Sequence, residues 1–215
     1  SVSMYYFKDL VEGASGCRIK LELYTSGVLG KEAEVLDMVK TGALQGCRGG
    51  LFERANKTYL LYTLPFFFDN TDQVLKLMRG EFGQKINQGA MKNGFYIPAC
   101  GVAGGFRNIT NNVRPITKPE DLKGLKMRMM PLMGDVLSKH GMSVVFMPAG
   151  EIMPNLQRGV IDAAEFSSPA INYPMGFDDV TKYVIQPEVH QPGIQCALFF
   201  NKDAYDKLPE DLKWI

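Results

Sequence analysis

The chain has 215 residues, 46% of them apolar, and sets 24 Lys and Arg against 23 Asp and Glu for a formal net charge of +1. That length and apolar content support real cores, which excludes disordered and fibrous classes. The charge is balanced and has no long run of one sign, so nothing points to nucleic acid or a membrane surface, and the longest apolar stretches, such as Tyr59–Phe68, fall far short of the roughly 20 residues a membrane-crossing helix needs.

Residues Ser1–Leu10 read SVSMYYFKDL, with neither a basic leader nor a continuous apolar core, so export has to be argued from other features. Met4, Phe7, Leu10 and Val11 recur at helical spacing, and the glycines from Gly13 to Gly16 close that helix. Arg18–Tyr24 alternates polar and apolar residues and predicts a half-buried strand. A helix is expected from Lys31 to Gly42, with Val35, Met38 and Val39 on one face, followed by a short strand over Ala43–Cys47. Pro65 then divides two apolar runs, and Asn70 or Thr71 caps a helix carrying Val74, Leu75 and Met78. A further helix runs to about Asn93, a strand covers Phe95–Val102, and Gly101–Gly105 forms a flexible crossing.

In the second half Thr117 to Glu120 fits a capping box and Leu125–Met129 a strand. Pro131–His140 predicts a helix with Leu132, Val136 and Leu137 inward, and Val144–Met147 a strand. A helix from Gly150 to Gly159 leads to a strand over Val160–Ala164. Pro169–Phe177 reads as helical, and Gly193–Asn201 as a late strand. The segments Met38–Cys47 (MVKTGALQGC) and Asn155–Ala164 (NLQRGVIDAA) echo each other, each a helix ending in a basic residue and a glycine before a strand. The echo suggests two similar α/β halves, and open α/β sheets bind ligands beyond the carboxyl ends of their strands.

Catalytic chemistry finds little support. Only His140 and His190 are present, and the patterns GxSxG, HExxH, GxxxxGK[ST] and GxGxxG are all missing. His140, just before Gly141, is expected to cap a helix end, whereas His190 lies in a proline-bounded loop. Cys17, Cys47, Cys100 and Cys196 lack metal or redox spacing and are expected to be unpaired thiols.

From Pro115 the sequence PITKPEDLKGLKMR resembles the signature of the receptors of tripartite ATP-independent periplasmic (TRAP) transporters, of the DctP type. The resemblance continues through GEIMPNLQRGVIDAAEFSSPAINYPMGF, KYVIQPEVHQPG and FFNKDAYDKLP, and upstream through RIKLELYTSGVLG, LPFFFDN and GGFRNITN. It implies a two-lobed α/β periplasmic binding protein fold, similar to class II, with a ligand cleft between lobes formed by residues 1–105 with 194–215 and by 106–193. It further implies a periplasmic receptor, not an enzyme, that closes on a small organic carboxylate and delivers it to membrane permease subunits. The AEF-xx-PAINY segment is similar to the subgroup for 2-oxo and 2-hydroxy monocarboxylates. A C4-dicarboxylate or another organic acid is the alternative ligand, and a carboxylate-processing enzyme or a sensor domain the alternative class.

The resemblance makes Arg128, the last residue of DLKGLKMR, the principal partner of the ligand carboxylate. A planar, permanently charged guanidinium suits that role. It brings Glu165 and Phe166 to the cleft, with Gln191 in reach of ligand hydroxyl or carbonyl groups. Phe106, Phe166 and Tyr173 are candidate walls, Arg107 a candidate second cation and Arg54 a weaker one. Members of the subgroup sometimes hold a cation there. Gln191 stands where they often have a glutamate and Val102 where they often have a glutamine, so no cofactor or metal is expected, with Glu165, Phe166 and Gln191 as the only candidates to hold one. Family members also begin with a strand before the first helix and end in long helices, so the resemblance implies that the sequence is part of a longer protein.

Overall fold

The computed structural model describes residues 2–25, 27–98, 100–103, 105–187 and 190–215, without the Val2 side chain. In chain order the elements are α1 (Val2–Ala14), α2 (Glu32–Thr41), β1 (Gly46–Gly49), α3 (Thr71–Arg79), α4 (Glu81–Lys92), β2 (Phe95–Tyr96), β3 (Cys100–Ala103) and β4 (Ile109–Asn111). They continue with β5 (Lys126–Arg128), α5 (Pro131–Ser138), β6 (Ser143–Val145), α6 (Ala149–Gln157), β7 (Ala163–Glu165), α7 (Pro169–Asn172), α8 (Phe177–Val180), β8 (Tyr183–Val184), β9 (Ile194–Asn201) and α9 (Lys202–Asp206).

These elements gather into two compact units, one of Ser1–Lys57, Ile86–Ala99 and Ala197–Ile215, the other of Thr58–Lys85 and Cys100–Cys196. In the first, β9 runs antiparallel between β1 and β2, with Cys47 opposite Phe199 and Phe95 opposite Asn201. Phe199 is fully buried and meets Phe52 and Phe95 edge to face, at 5.4 and 6.1 Å between ring centres, so aromatic burial holds this sheet. Asn201 binds the sheet to two helices: its Nδ2 donates to Val39 O at 2.9 Å and its Oδ1 caps α9 by accepting from Ala204 N at 2.8 Å.

In the second unit the strands lie in the order β6-β5-β7-β4-β8, parallel across β6, β5 and β7 and antiparallel at β4 and β8. Successive side chains on a strand serve opposite faces. Accordingly Ala163 packs with Met127, Met129, Leu125, Met133 and Leu137, while its neighbour Ala164 packs with Ile152, Leu156, Ile161 and Phe177. The sheet is therefore covered on both faces, as parallel strands require.

Several expected elements take another form. Arg18–Tyr24 forms no strand among the described residues. Its alternation of exposure survives, and its backbone is served by helix side chains instead, Leu21 N donating to Glu12 Oε1 at 2.8 Å and Lys8 Nζ donating to Leu21 O. The expected strand over Phe95–Val102 is two strands, because Pro98 has no N–H to give a ladder. Most of the apolar run before Pro65 lies in a 3-10 helix over Lys57–Thr63, where the three-residue spacing buries Tyr59 and Tyr62 together. The capping acid near Thr117 is Asp121 rather than Glu120: its Oδ2 accepts from Thr117 N at 2.9 Å and Lys118 N at 3.2 Å. α2 turns Leu36 and Val39 inward and α5 turns Met133 and Leu137, leaving Met38 and Val136 exposed. Pro169–Phe177 divides into short turns at Pro174 and Gly176.

The two echoing segments both place a glycine in the left-handed region, Gly42 at φ 82° and Gly159 at φ 67°, just before a strand. Their ladders differ. β1 pairs antiparallel with β9, whereas β7 pairs parallel with β5 and antiparallel with β4, so the likeness is local. The Gly101–Gly105 crossing begins in β3, and Gly104 lies outside the described residues.

Candidate functional site

Strand alternation dictates where Arg128 goes. Met127 and Met129 fill one face of the second unit's sheet, which sends Arg128, at the carboxyl end of β5, to the other face beside Met147. The adjacent parallel strand β7 ends on Glu165, and β4, antiparallel to β7, is entered through Arg107. Two guanidiniums and one carboxylate thus meet where parallel strands end, the place where open α/β sheets bind ligands.

All three side chains are shielded from water, with Arg107 5%, Arg128 4% and Glu165 1% exposed. Arg107 grips Glu165 with two donors, Nε to Oε1 and Nη2 to Oε2, the latter at 2.9 Å. Arg128 Nη1 donates to the Glu165 carbonyl oxygen at 2.5 Å and lies 3.4 Å from its Oε2, while Nε donates to Met147 O at 3.1 Å. Its Nη2 has a weaker partner, the Met130 sulfur at 3.9 Å. Rings of Phe146 and Phe166 lie 5.5 and 6.0 Å from its guanidinium carbon, close enough for cation–π attraction, and Phe166 stacks in turn on Phe177. His190 brings Nε2 to 3.6 Å from Glu165 Oε1.

Burial pulls Arg128 down to about 10 and Arg107 to about 9, the latter also through the neighbouring Arg128 charge. Both remain protonated at neutral pH. Among the described residues the cluster therefore holds two cations against one carboxylate, and an uncompensated buried charge is costly unless an anion joins it. A cation fits this place poorly, because both Glu165 oxygens already face guanidinium nitrogens. No group of potential metal ligands occurs among the described residues.

The other sequence-derived candidates divide. Gln191 is buried and meets the cluster through its backbone: its carbonyl accepts from Arg107 N at 3.0 Å, while its side chain donates to Gln195 Oε1 at 2.9 Å. Phe106 precedes Arg107 and is half-buried. Tyr173 sits on a 3-10 turn and is 68% exposed, outside the cluster. Arg54 belongs to the first unit, where it pairs with Asp37 at 3.5 Å on the surface. His140 lies two residues beyond α5, in the turn that follows it, with its backbone N–H bonded to Leu137 O and its side chain exposed rather than capping the helix end. Sequence reasoning missed His190, Phe146, Asn108 and Asn172 as neighbours of the cluster. His190, next to Gln191, Asn108, next to Arg107, and Asn172, next to Tyr173 within PAINY, carried a positional hint, whereas Phe146 carried none. None of the four cysteines forms a disulfide, and Cys17 is exposed.

A solved TRAP periplasmic solute-binding protein from Chromohalobacter salexigens with bound D-glucuronate has a TM-score of 0.89 and 25% identity, covering 98% of this chain and 70% of that one. The fold is thus that of the two-lobed α/β periplasmic binding proteins. The family described as bacterial extracellular solute-binding protein, family 7, matches residues 3–215, and the chain belongs to it. A solute-binding protein of Roseobacter denitrificans is 32% identical over 197 residues, which are 90% of this chain and 59% of that protein. A monocarboxylate 2-oxoacid-binding periplasmic protein of Nostoc is 29% identical over 97% of this chain and 57% of its own length. The chain thus spans a little under three fifths of the length of these two relatives.

Proposed function

We propose that the protein is an extracytoplasmic receptor that captures a small organic carboxylate, a 2-oxo or 2-hydroxy monocarboxylic acid, and passes it to the membrane permease of a TRAP transporter. One observation carries this reading: the buried cluster sets Arg107 and Arg128 against the single carboxylate of Glu165. A ligand carboxylate supplies the missing negative charge, and Arg128 Nη2, whose partner among the described residues is the Met130 sulfur, is a donor open to it. The Phe146 and Phe166 rings beside Arg128 restrict water and strengthen the attraction. The Glu165 carboxylate keeps lone pairs that can accept from a hydroxyl next to the ligand carboxylate. The monocarboxylate-binding Nostoc relative supports the ligand class, and the family supports a periplasmic location. On this reading the lobes 1–105 with 194–215 and 106–193 close on the ligand.

The test is a thermal-shift screen of the full-length protein against 2-oxo, 2-hydroxy, sugar and dicarboxylic acids. A ligand at about 100 times its Kd stabilises by roughly 2.7 kcal/mol, worth roughly 5–10 °C for a domain the size of this chain and less for a longer protein. The active acid is recovered unchanged. No shift across the panel, or consumption of an acid, refutes the receptor reading.

A further inference from the structure

Glu165 ends β7 while Arg107 lies two residues before β4, and the ladder between those strands stops before it reaches Arg107. Its pairs run only from Asn111 opposite Ala163 to Ile109 opposite Glu165. Beyond them the backbones are joined by Asn108 N donating to Ser167 O at 3.1 Å and by a longer bond from Phe166 N to Asn108 O at 3.4 Å. Asn172, 3% exposed at the end of α7, reinforces this weak stretch. Its Nδ2 donates to Asn108 Oδ1 and to Ser167 O, both at 2.9 Å, and its Oδ1 accepts from Ser167 N at 3.1 Å. One side chain thus holds the residue after Arg107 and the residue two beyond Glu165. Of the small side chains only a carboxamide provides two donors and an acceptor in one plane; aspartate has no donor, and serine has a single hydroxyl proton.

We propose that Asn172 is a positioning residue that sets Arg107 against Glu165 and so tunes the affinity of the anion site; its link to affinity rests on the carboxylate-receptor reading above. A guanidinium fork aligns with a carboxylate over a narrow range of geometry, so the supporting contacts decide how well the pair is formed before a ligand arrives.

The structure supplies a reporter that needs no ligand. The chain has two histidines, His190 with Nε2 3.6 Å from Glu165 Oε1, and exposed His140, which serves as an internal control. Ring resonances of both are recorded by NMR at fixed pH in the full-length native protein and in Asn172→Ala, with circular dichroism to establish folding. The expected result is that His190 resonances move while those of His140 stay, and that Kd for the acid found in the thermal screen rises at least tenfold. A folded Asn172→Ala protein with native His190 resonances overturns the proposal even if its melting temperature falls, since that is the signature of a structural role alone. Moved His190 resonances with an unchanged Kd overturn the link to affinity. If the native protein binds no acid, the receptor reading fails, and the His190 spectrum still decides the role of Asn172. Should Asn172→Ala fail to fold, Asn108→Ala, which removes only the bond on the β4 side, takes its place with the same outcomes.

Discussion

Replacing Arg128 with alanine tests the anion site most directly. Nε and Nη1 are committed to Met147 O and Glu165 O, at 3.1 and 2.5 Å, while the partner of Nη2 among the described residues is the Met130 sulfur at 3.9 Å. Arg128→Ala therefore acts twice. It removes a charge-assisted bond to the ligand, about 1.5–3 kcal/mol, and it leaves the carboxylate in a dry site with less compensation, a loss of roughly 3–5 kcal/mol for a broken buried pair. These figures overlap in what they count, so about 3 kcal/mol is the minimum expected, at least a hundredfold in Kd. Two carbonyl oxygens also lose a donor, a loss of roughly 2–6 kcal/mol in stability that relief of the excess buried positive charge partly offsets. Arg128→Lys keeps a charge but loses the planar fork and recovers only part of the affinity. Calorimetric titration of the native protein and both variants, with circular dichroism and urea unfolding alongside, separates recognition from folding. Near-native affinity in a folded Arg128→Ala protein refutes the reasoning and moves the carboxylate to Arg107.

Two further outcomes follow from groups outside the cluster. All four thiols react with Ellman's reagent under denaturing, non-reducing conditions; in the native protein Cys17 reacts first and Cys47, whose thiol burial pushes up to about 12, reacts slowly, and four unreactive thiols contradict the unpaired assignment. Asp121 is held below the usual carboxylate range chiefly by the Thr117 N–H. Its folded-state value is depressed, so its stabilisation is present above the ordinary range of about 4 and fades as pH falls below it. The melting-temperature gap between native protein and Asp121→Ala is therefore open at pH 7 and narrows as pH falls below about 4, and a gap independent of pH counts against the contact.

The sequence alone determined the local chemistry. Asn70 at the head of α3, Gly42 and Gly159 at helix ends, and the alternation around Met127, Arg128 and Met129 are each set by neighbours a few residues away, so they are legible as a pattern. The resemblance through DLKGLKMR and AAEF added Arg128 and Glu165 as residues worth attention, and Arg107 stood out as a second cation. Tertiary structure decided the rest. The alternating Arg18–Tyr24 segment forms no strand among the described residues, because a ladder needs a neighbour that alternation cannot supply. Tyr173, a plausible wall by its motif, lies exposed on a turn, while Phe146 and His190 stand beside Arg128 and Glu165. Arg107 and Glu165 are 58 residues apart in the chain, and Arg128 and Glu165 are 37 apart. Such partners are joined by the order and direction of strands in the sheet, a long-range choice made by burying both faces at once, and no short window of sequence contains it.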